Sequence, residues 1–272
     1  MATRFFPRLH AQHPQKWGWV PNAIDAARWA RAEQAFAAAG EAKVPHRFIY
    51  TSVAERGLLL LLRHFPAIRA TLPGATLLVA TYDPAGVSAE AHALMASYAD
   101  HVTFAGALGK DALYREILRS SVWLYPTSVR ETYCNVALEM MRGRVLAVAS
   151  ELGALRDWLG EGRGLLLPMG APYGPEASAT EFGTPQLDVA ALAELLSDTP
   201  RVHAMLARAR AWAEQQTWAR RAERWEELLE SAPEGGAQAD EEVEGAQHGP
   251  SRRRRYWAMA AAAVPLVLWA VA

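Results

Sequence analysis

An alternation constrains this chain more than any other feature: from position 46 onward, short apolar runs of strand length take turns with longer amphipathic stretches. HRFIYT (46–51) reads as a buried strand, and Leu58, Leu61, Leu62, Phe65, Ile68 and Leu72 then recur at a spacing that brings them onto one helical face. The unit repeats as ATLLVA (75–80), a helix near 88–100, VTFAG (102–106), a helix near 111–120, VWLYP (122–126) and a helix over 133–142. VLAVAS (145–150) and GLLLP (164–168) supply later strands. Strands that are apolar on both faces and separated by helices require a parallel sheet covered on both sides, because each crossover lays a helix across one face. The predicted fold class is α/β, a doubly wound parallel sheet of Rossmann-like form.

Beyond the last strand, residues 168–185 are rich in Gly, Pro and Ala and predict a long loop, and 188–231 predict two or three helices. The segment 232–251 turns to Gly, Glu, Ala and Gln, a composition that cannot bury a core and predicts a disordered linker. RRRR at 252–255 then precedes an uncharged run over 256–272 with Trp257 and Trp269 near its ends. A basic flank, an apolar run and terminal aromatics are the signs of a membrane anchor whose arginines stay cytoplasmic. As a helix the run rises roughly 25 Å against a hydrocarbon core of about 30 Å, so an interfacial or disordered tail stays open beside a spanning one. The N-terminal stretch MATRFFPRLHAQHPQ lacks the continuous apolar core of a secretory signal. The expected division is an N-terminal segment (1–45), a globular domain (46–231), the linker (232–251) and a basic, apolar tail (252–272) that places the domain at the cytoplasmic face of a membrane or in the cytoplasm.

Composition removes several function classes. The chain has 28 basic and 29 acidic side chains, so no overall field draws it to nucleic acid. Its single cysteine, Cys134, excludes a disulfide framework and a thiolate cluster, and none of its eight histidines pairs with another at helical metal-ligand spacing, so no metal site is expected. No GxGxxG follows the first strand, which argues against a nicotinamide or flavin enzyme.

Open parallel sheets bind ligands beyond the C-terminal ends of their strands. The first such loop is SVAERGL (52–58), where Arg56 offers a forked cation to a phosphate and Gly57 lets the backbone come close to it. Alone, the pair also describes a solvated arginine at a helix start beside a capping glycine. The loop after VWLYP runs TSVRETYCNVALEMM, with Glu131 before a helix and Glu139 inside it, a Glu-x7-Glu spacing. The helix N-terminus near Thr132, Tyr133 and Cys134 presents unpaired N–H groups and a positive dipole end, which suit a diphosphate. Glu139 is able to accept from a vicinal diol such as ribose, and Glu131 to orient hydroxyls of a sugar beyond the phosphates. Two such glutamates also fit a first-turn acid and a surface acid. Cys134 lacks a neighbouring histidine and reads as a small buried residue, and Trp212, Trp218 and Trp225 read as packing residues of the closing helices.

With these residues in place, FIYTSVAERGL, VTFAGALGKDALYREILRSSVWLYPTSVRETYCNVALEMM and SELGALRDWLGEGRGLLL resemble the C-terminal domain of GT-B glycosyltransferases of the large retaining group called family 4. The resemblance runs over about 46–229 and includes TWARRAERWEELL, similar to that fold's closing helix. It implies a nucleoside diphosphate sugar as donor substrate, no cofactor and no required metal. It further implies that Arg56 contacts the donor diphosphate, Glu131 the donor sugar and Glu139 the nucleotide ribose, with Phe104 and Gly106 near the nucleobase. Arg56 and the helix N-terminus would then stabilise charge that develops on the leaving diphosphate.

Two departures from that pattern matter. Many relatives carry a further arginine early in the first loop, where Thr51 and Ser52 stand here. WGWVPNAID (17–25) resembles the interdomain connector, and only 16 residues precede it, so the expectation is a donor domain without its acceptor half, either truncated or completed by a separate acceptor-domain chain. The rival expectation is a non-catalytic nucleotide-sugar-binding or regulatory module.

Overall fold

In the computed structural model, which describes residues 20–171 and 182–230, six parallel strands form one sheet in the order β3-β2-β1-β4-β5-β6. The strands are β1 (Arg47–Thr51), β2 (Thr76–Ala80), β3 (Val102–Gly106), β4 (Val122–Tyr125), β5 (Leu146–Ser150) and β6 (Leu165–Leu167). They are separated by α2 (Leu58–Thr71), α3 (Ala89–Ser97), α4 (Lys110–Arg119), α5 (Asn135–Arg142) and α6 (Ala154–Leu159). Helix α1 (Ala26–Ala38) precedes the sheet, and a two-stranded pair, β7 (Met169–Gly170) with β8 (Thr184–Pro185), follows it before α7 (Val189–Ser197), α8 (Thr199–Ala213) and α9 (Trp218–Glu230). The described residues through Glu226 form one compact unit, and the last turn of α9 falls outside it.

The chain builds β1, β2 and β3 outward in one direction, then crosses back to lay β4 against the other side of β1. Phe48 pairs with Val122 and Ile49 with Trp123 across that junction. The loops leaving β1 and β4 therefore diverge to opposite faces, and a crevice opens between them at their C-terminal ends. The central strands are apolar through their thickness: Val122, Trp123, Leu124 and Tyr125 are buried, as are all five residues of β5. On α2 the buried residues are Leu58, Leu61, Leu62, Phe65 and Ile68, the face that the sequence spacing marks.

The structure departs from the sequence reading in four places, one being that the ends of 168–185, expected as a long loop, pair antiparallel as β7 and β8. Residues 26–38, expected as part of an N-terminal connector, form α1, whose Trp29 is fully buried and stacks on Tyr114 of α4 at 4.1 Å between ring centroids. The core lacks a cover there without that helix. Strand β3 is not buried on both faces: it is a sheet edge, and Thr103 and Phe104 are exposed. Of the three tryptophans read as packing residues, Trp212 packs against Trp158 at 5.0 Å, but Trp218 and Trp225 are exposed. Along α9, Trp218, Ala222, Trp225 and Leu229 recur at helical spacing, yet none of the helix's residues is buried. The expected linker and tail lie outside the described residues, and among the described residues no helix is long and apolar enough to cross a membrane.

Candidate active site

The two loops at the β1/β4 junction meet through glycine. Gly57 begins α2 at φ +100°, and a Cβ placed on it would lie 2.3 Å from the Pro126 carbonyl oxygen. The bare Cα expected to admit a phosphate thus admits the backbone of the neighbouring loop. A second glycine does the same from the other side: Gly153, at φ +59°, would put a Cβ 2.4 Å from the Glu131 carbonyl oxygen. Ala154 N–H, in the first turn of α6, donates to that same carbonyl at 3.0 Å. The Glu131 loop is pinned between these two contacts, and its turn is closed by Val129 N–H donating to Thr127 Oγ1 at 3.0 Å.

Within this frame Arg56 and Glu131 come together. Arg56 Nη1 donates to Glu131 Oε1 at 2.7 Å, and the Tyr125 hydroxyl donates to the same oxygen at 2.6 Å. Tyr125, the last residue of β4, is buried, and Ser52 Oγ lies 3.4 Å from its hydroxyl. Burial pushes the Tyr125 phenol well above its ordinary value and the Glu131 charge adds to this, so the phenol stays a proton donor. Burial opposes the Arg56 charge, but Glu131 and the Tyr125 oxygen outweigh it and raise the guanidinium pKa further. Both partners occupy Oε1, which leaves Oε2 of Glu131 as the acceptor for a ligand.

Helix α5 starts directly after this loop. Its N-cap, Cys134, holds a left-handed conformation at φ +66° and makes no side-chain cap, so first-turn N–H groups keep the dipole's positive end without a side-chain acceptor. The Cys134 thiol is pushed well up by burial first and by Glu131 second, which makes it an inert packing group. The charges of Glu131, Arg56 and Glu139 all act on that thiol, so the three residues lie within electrostatic reach of the start of α5. Thr132 is exposed. Tyr133 is not free to bind through its ring: the ring packs edge-on to Trp158 at 4.8 Å, its hydroxyl donates to the Asn22 carbonyl, and its own carbonyl accepts from Trp158 Nε1.

Glu139 sits inside α5, 3% exposed. Lys110 Nζ approaches its Oε1 at 2.6 Å and the Tyr114 hydroxyl donates to that oxygen at 3.2 Å, while the buried Oε2 has no partner. Each glutamate of the Glu-x7-Glu pair is therefore held on one oxygen by one cation and one buried tyrosine. Sequence reasoning placed the glutamates and Arg56 but missed Tyr125, Tyr114, Lys110 and Gly153. The available signals were that Tyr125 ends a strand and Lys110 opens a helix, both on the ligand-binding edge of the sheet. Phe104 and Gly106 lie at the end of β3: Phe104 is 38% exposed, and Gly106, at φ +62°, accepts from Thr81 N–H at 2.9 Å. A groove of about 560 Å³ lined by α1 and α4 residues, among them Arg28, Phe36 and Arg115, includes none of these site residues.

The family model described as glycosyl transferases group 1 matches residues 46–182. No curated protein matches the sequence. The fold is similar to that of the pneumococcal O-GlcNAc transferase GtfA in complex with UDP and GlcNAc, with TM-score 0.56 and 15% identity over 79% of this chain and 38% of that one. It is similar to Anabaena HepE in complex with UDP-glucose, with TM-score 0.56 and 16% identity over 78% of this chain and 57% of that one. The GtfA/B complex matches with TM-score 0.54 and 18% identity over 70% of this chain and 37% of that one. Likeness at these identities shows the fold, and this chain spans only 37% to 57% of the length of those structures.

Proposed function

The chain belongs to the group 1 glycosyl transferases, and on that premise we propose that it supplies the donor-binding side of a retaining sugar transfer, holding a nucleoside diphosphate sugar at the β1/β4 crevice. The observation that carries this reading is the convergence of Arg56, Glu131, Glu139 and the uncapped start of α5 at that crevice. The diphosphate lies against the first turn of α5, within reach of the Arg56 guanidinium, which exchanges part of its contact with Glu131 for phosphate oxygens. Glu131 Oε2 accepts from a hydroxyl of the sugar, Glu139 accepts from the ribose, and the base lies toward the end of β3 near Phe104 and Gly106.

In this scheme the bond between the anomeric carbon and the diphosphate oxygen breaks, and its electron pair leaves with the diphosphate. An acceptor hydroxyl oxygen bonds on the same face of the sugar while its proton passes to the departing diphosphate oxygen. Fixed positive groups at the departing phosphate are worth most here because they are oriented before charge develops. The residues of this chain hold one reactant, and transfer also requires an acceptor held in near-attack geometry. An acceptor-binding domain, on a further stretch of the same protein or on a separate chain, would provide that second wall, and the GtfA/B complex among similar folds supports considering the second arrangement. The basic cluster at 252–255 and the uncharged run after it support attachment of this assembly to a membrane.

Calorimetry with UDP, GDP and ADP tests the donor site. At least one should bind the wild-type chain, and Glu139→Ala should weaken it by about 1–3 kcal/mol, the scale of a lost hydrogen bond to a charged group. Absence of binding to all three at millimolar concentration overturns the proposal.

A further inference from the structure

The sequence resemblance assigns Glu139 but says nothing of Lys110, which the structure sets against it. Glu139 is buried, and its Oε1 takes both the Lys110 ammonium at 2.6 Å and the Tyr114 hydroxyl at 3.2 Å. Its Oε2 is also buried and has no hydrogen-bond partner. A buried carboxylate oxygen without a donor is costly unless something supplies one, so this atom marks where a ligand hydroxyl would be bound best.

The two groups on Oε1 differ in kind. Tyr114 is 2% exposed and locked by stacking on Trp29, so its hydroxyl is a fixed donor. Burial, with the Glu139 charge second, pushes its phenol well above the ordinary tyrosine value and keeps it protonated. Lys110 occupies the first position of α4, its side chain is 41% exposed against 5% for Glu139, and its ammonium also lies over the Tyr114 ring at 5.5 Å. Lys110 is thus the solvent-facing member of the pair. A neutral phenol alone would orient the carboxylate without compensating its charge. The ammonium does both: it offsets the charge of a desolvated carboxylate and, by occupying Oε1, fixes which oxygen remains to accept.

Resting on the donor-site reading above, we propose that Lys110 is a specificity-determining positioning residue, which turns Glu139 into a reader of the vicinal diol of the donor's ribose. The substrate class is then narrowed to nucleotides with both ribose hydroxyls, and the discrimination depends on Lys110 although Lys110 itself need not touch the sugar. Arginine at this position retains the charge and the donor; methionine retains the aliphatic stem and loses both.

The test is a ligand-by-variant cycle using UDP, chosen because similar folds hold UDP or a UDP sugar, and its 2′,3′-dideoxy analogue, measured by calorimetry on the full chain. Wild type should prefer UDP by about tenfold or more, the value of hydrogen bonds to a buried charged acceptor. In Lys110→Met the preference should collapse to about threefold or less, with binding of the dideoxy analogue unchanged, because that ligand never used the carboxylate. Lys110→Arg should restore most of it. Unchanged affinity for the analogue also establishes that the variant is folded. A preference kept intact in Lys110→Met overturns the role of Lys110 and leaves the donor site standing. Equal binding of both ligands by wild type overturns the ribose role of Glu139, and this inference with it.

Discussion

Substitution of Gly57 by alanine separates two reasons for a glycine at the head of α2. If the residue served only to let a phosphate approach, Gly57→Ala would fold as wild type and bind nucleotide poorly. The structure gives the other reason. A Cβ at this position would lie 2.3 Å from the Pro126 carbonyl oxygen and 2.7 Å from its carbon, with φ at +100°. The left-handed conformation costs an alanine about 1 kcal/mol relative to glycine. Overlap adds roughly 1–3 kcal/mol, and here the obstacle is backbone, which cannot turn aside as a side chain does. The sum of about 2–4 kcal/mol is a large part of the ~5–15 kcal/mol that holds a typical domain folded. Urea unfolding followed by tryptophan fluorescence should therefore show the midpoint lowered by about 1 M or more. Gly40→Ala is the control, since that glycine also has positive φ (+64°) but nothing within 4 Å of its Cβ position; it should lose only the conformational part. A midpoint for Gly57→Ala equal to that of wild type, or no lower than that of Gly40→Ala, would refute the argument that the two loops are in contact at this residue.

Two further perturbations probe the electrostatics. Lys43, whose ammonium donates to the carbonyls of Ser120 at 2.6 Å and Gly143 at 3.0 Å, is pushed down to about 8 by burial, with the Arg144 charge adding to the shift. Between pH 8 and the unfolded value near 10 the unfolded chain holds the proton that the folded chain has lost, so this group makes stability rise with pH by up to about 2–3 kcal/mol. Urea midpoints at pH 7.5 and 9.5 should differ by more in wild type than in Lys43→Met, and an identical pH response in both overturns the assignment. Tyr125→Phe removes one of the two donors on Glu131 Oε1 while leaving Arg56. It should weaken a UDP sugar about tenfold more than UDP alone, since Glu131 is assigned to the sugar and a hydrogen bond to a charged group is lost; equal losses for the two ligands would remove Glu131 from the sugar site.

The parts of this molecule that were legible in the sequence are those where one physical demand acts on consecutive residues. A strand buried on both faces must be apolar throughout, and VWLY and LAVAS could be read on that ground alone. Arg56 and Glu131 could be brought together from sequence for a related reason, because strand-to-helix loops all emerge on one edge of a parallel sheet, and Glu139 follows from its position in the helix that starts there. Helix α1 was missed although its signals are local: Asp25 caps Arg28 N–H at 2.9 Å, and Trp29, Ala32 and Phe36 follow at helical spacing. The tyrosines were hidden differently. Tyr125 counts as one more apolar residue of β4, and Tyr114 as one more on the buried face of α4, so in any periodicity argument each is spent on the core. Only the fold reveals that their hydroxyls end on carboxylates, 6 positions away for Glu131 and 25 for Glu139. A residue that satisfies the hydrophobic pattern along its ring and the site along its hydroxyl leaves no mismatch in the sequence. Where a predicted acidic site lies beside a tyrosine at a strand end or on the buried face of a helix, the phenol is therefore the donor to consider first.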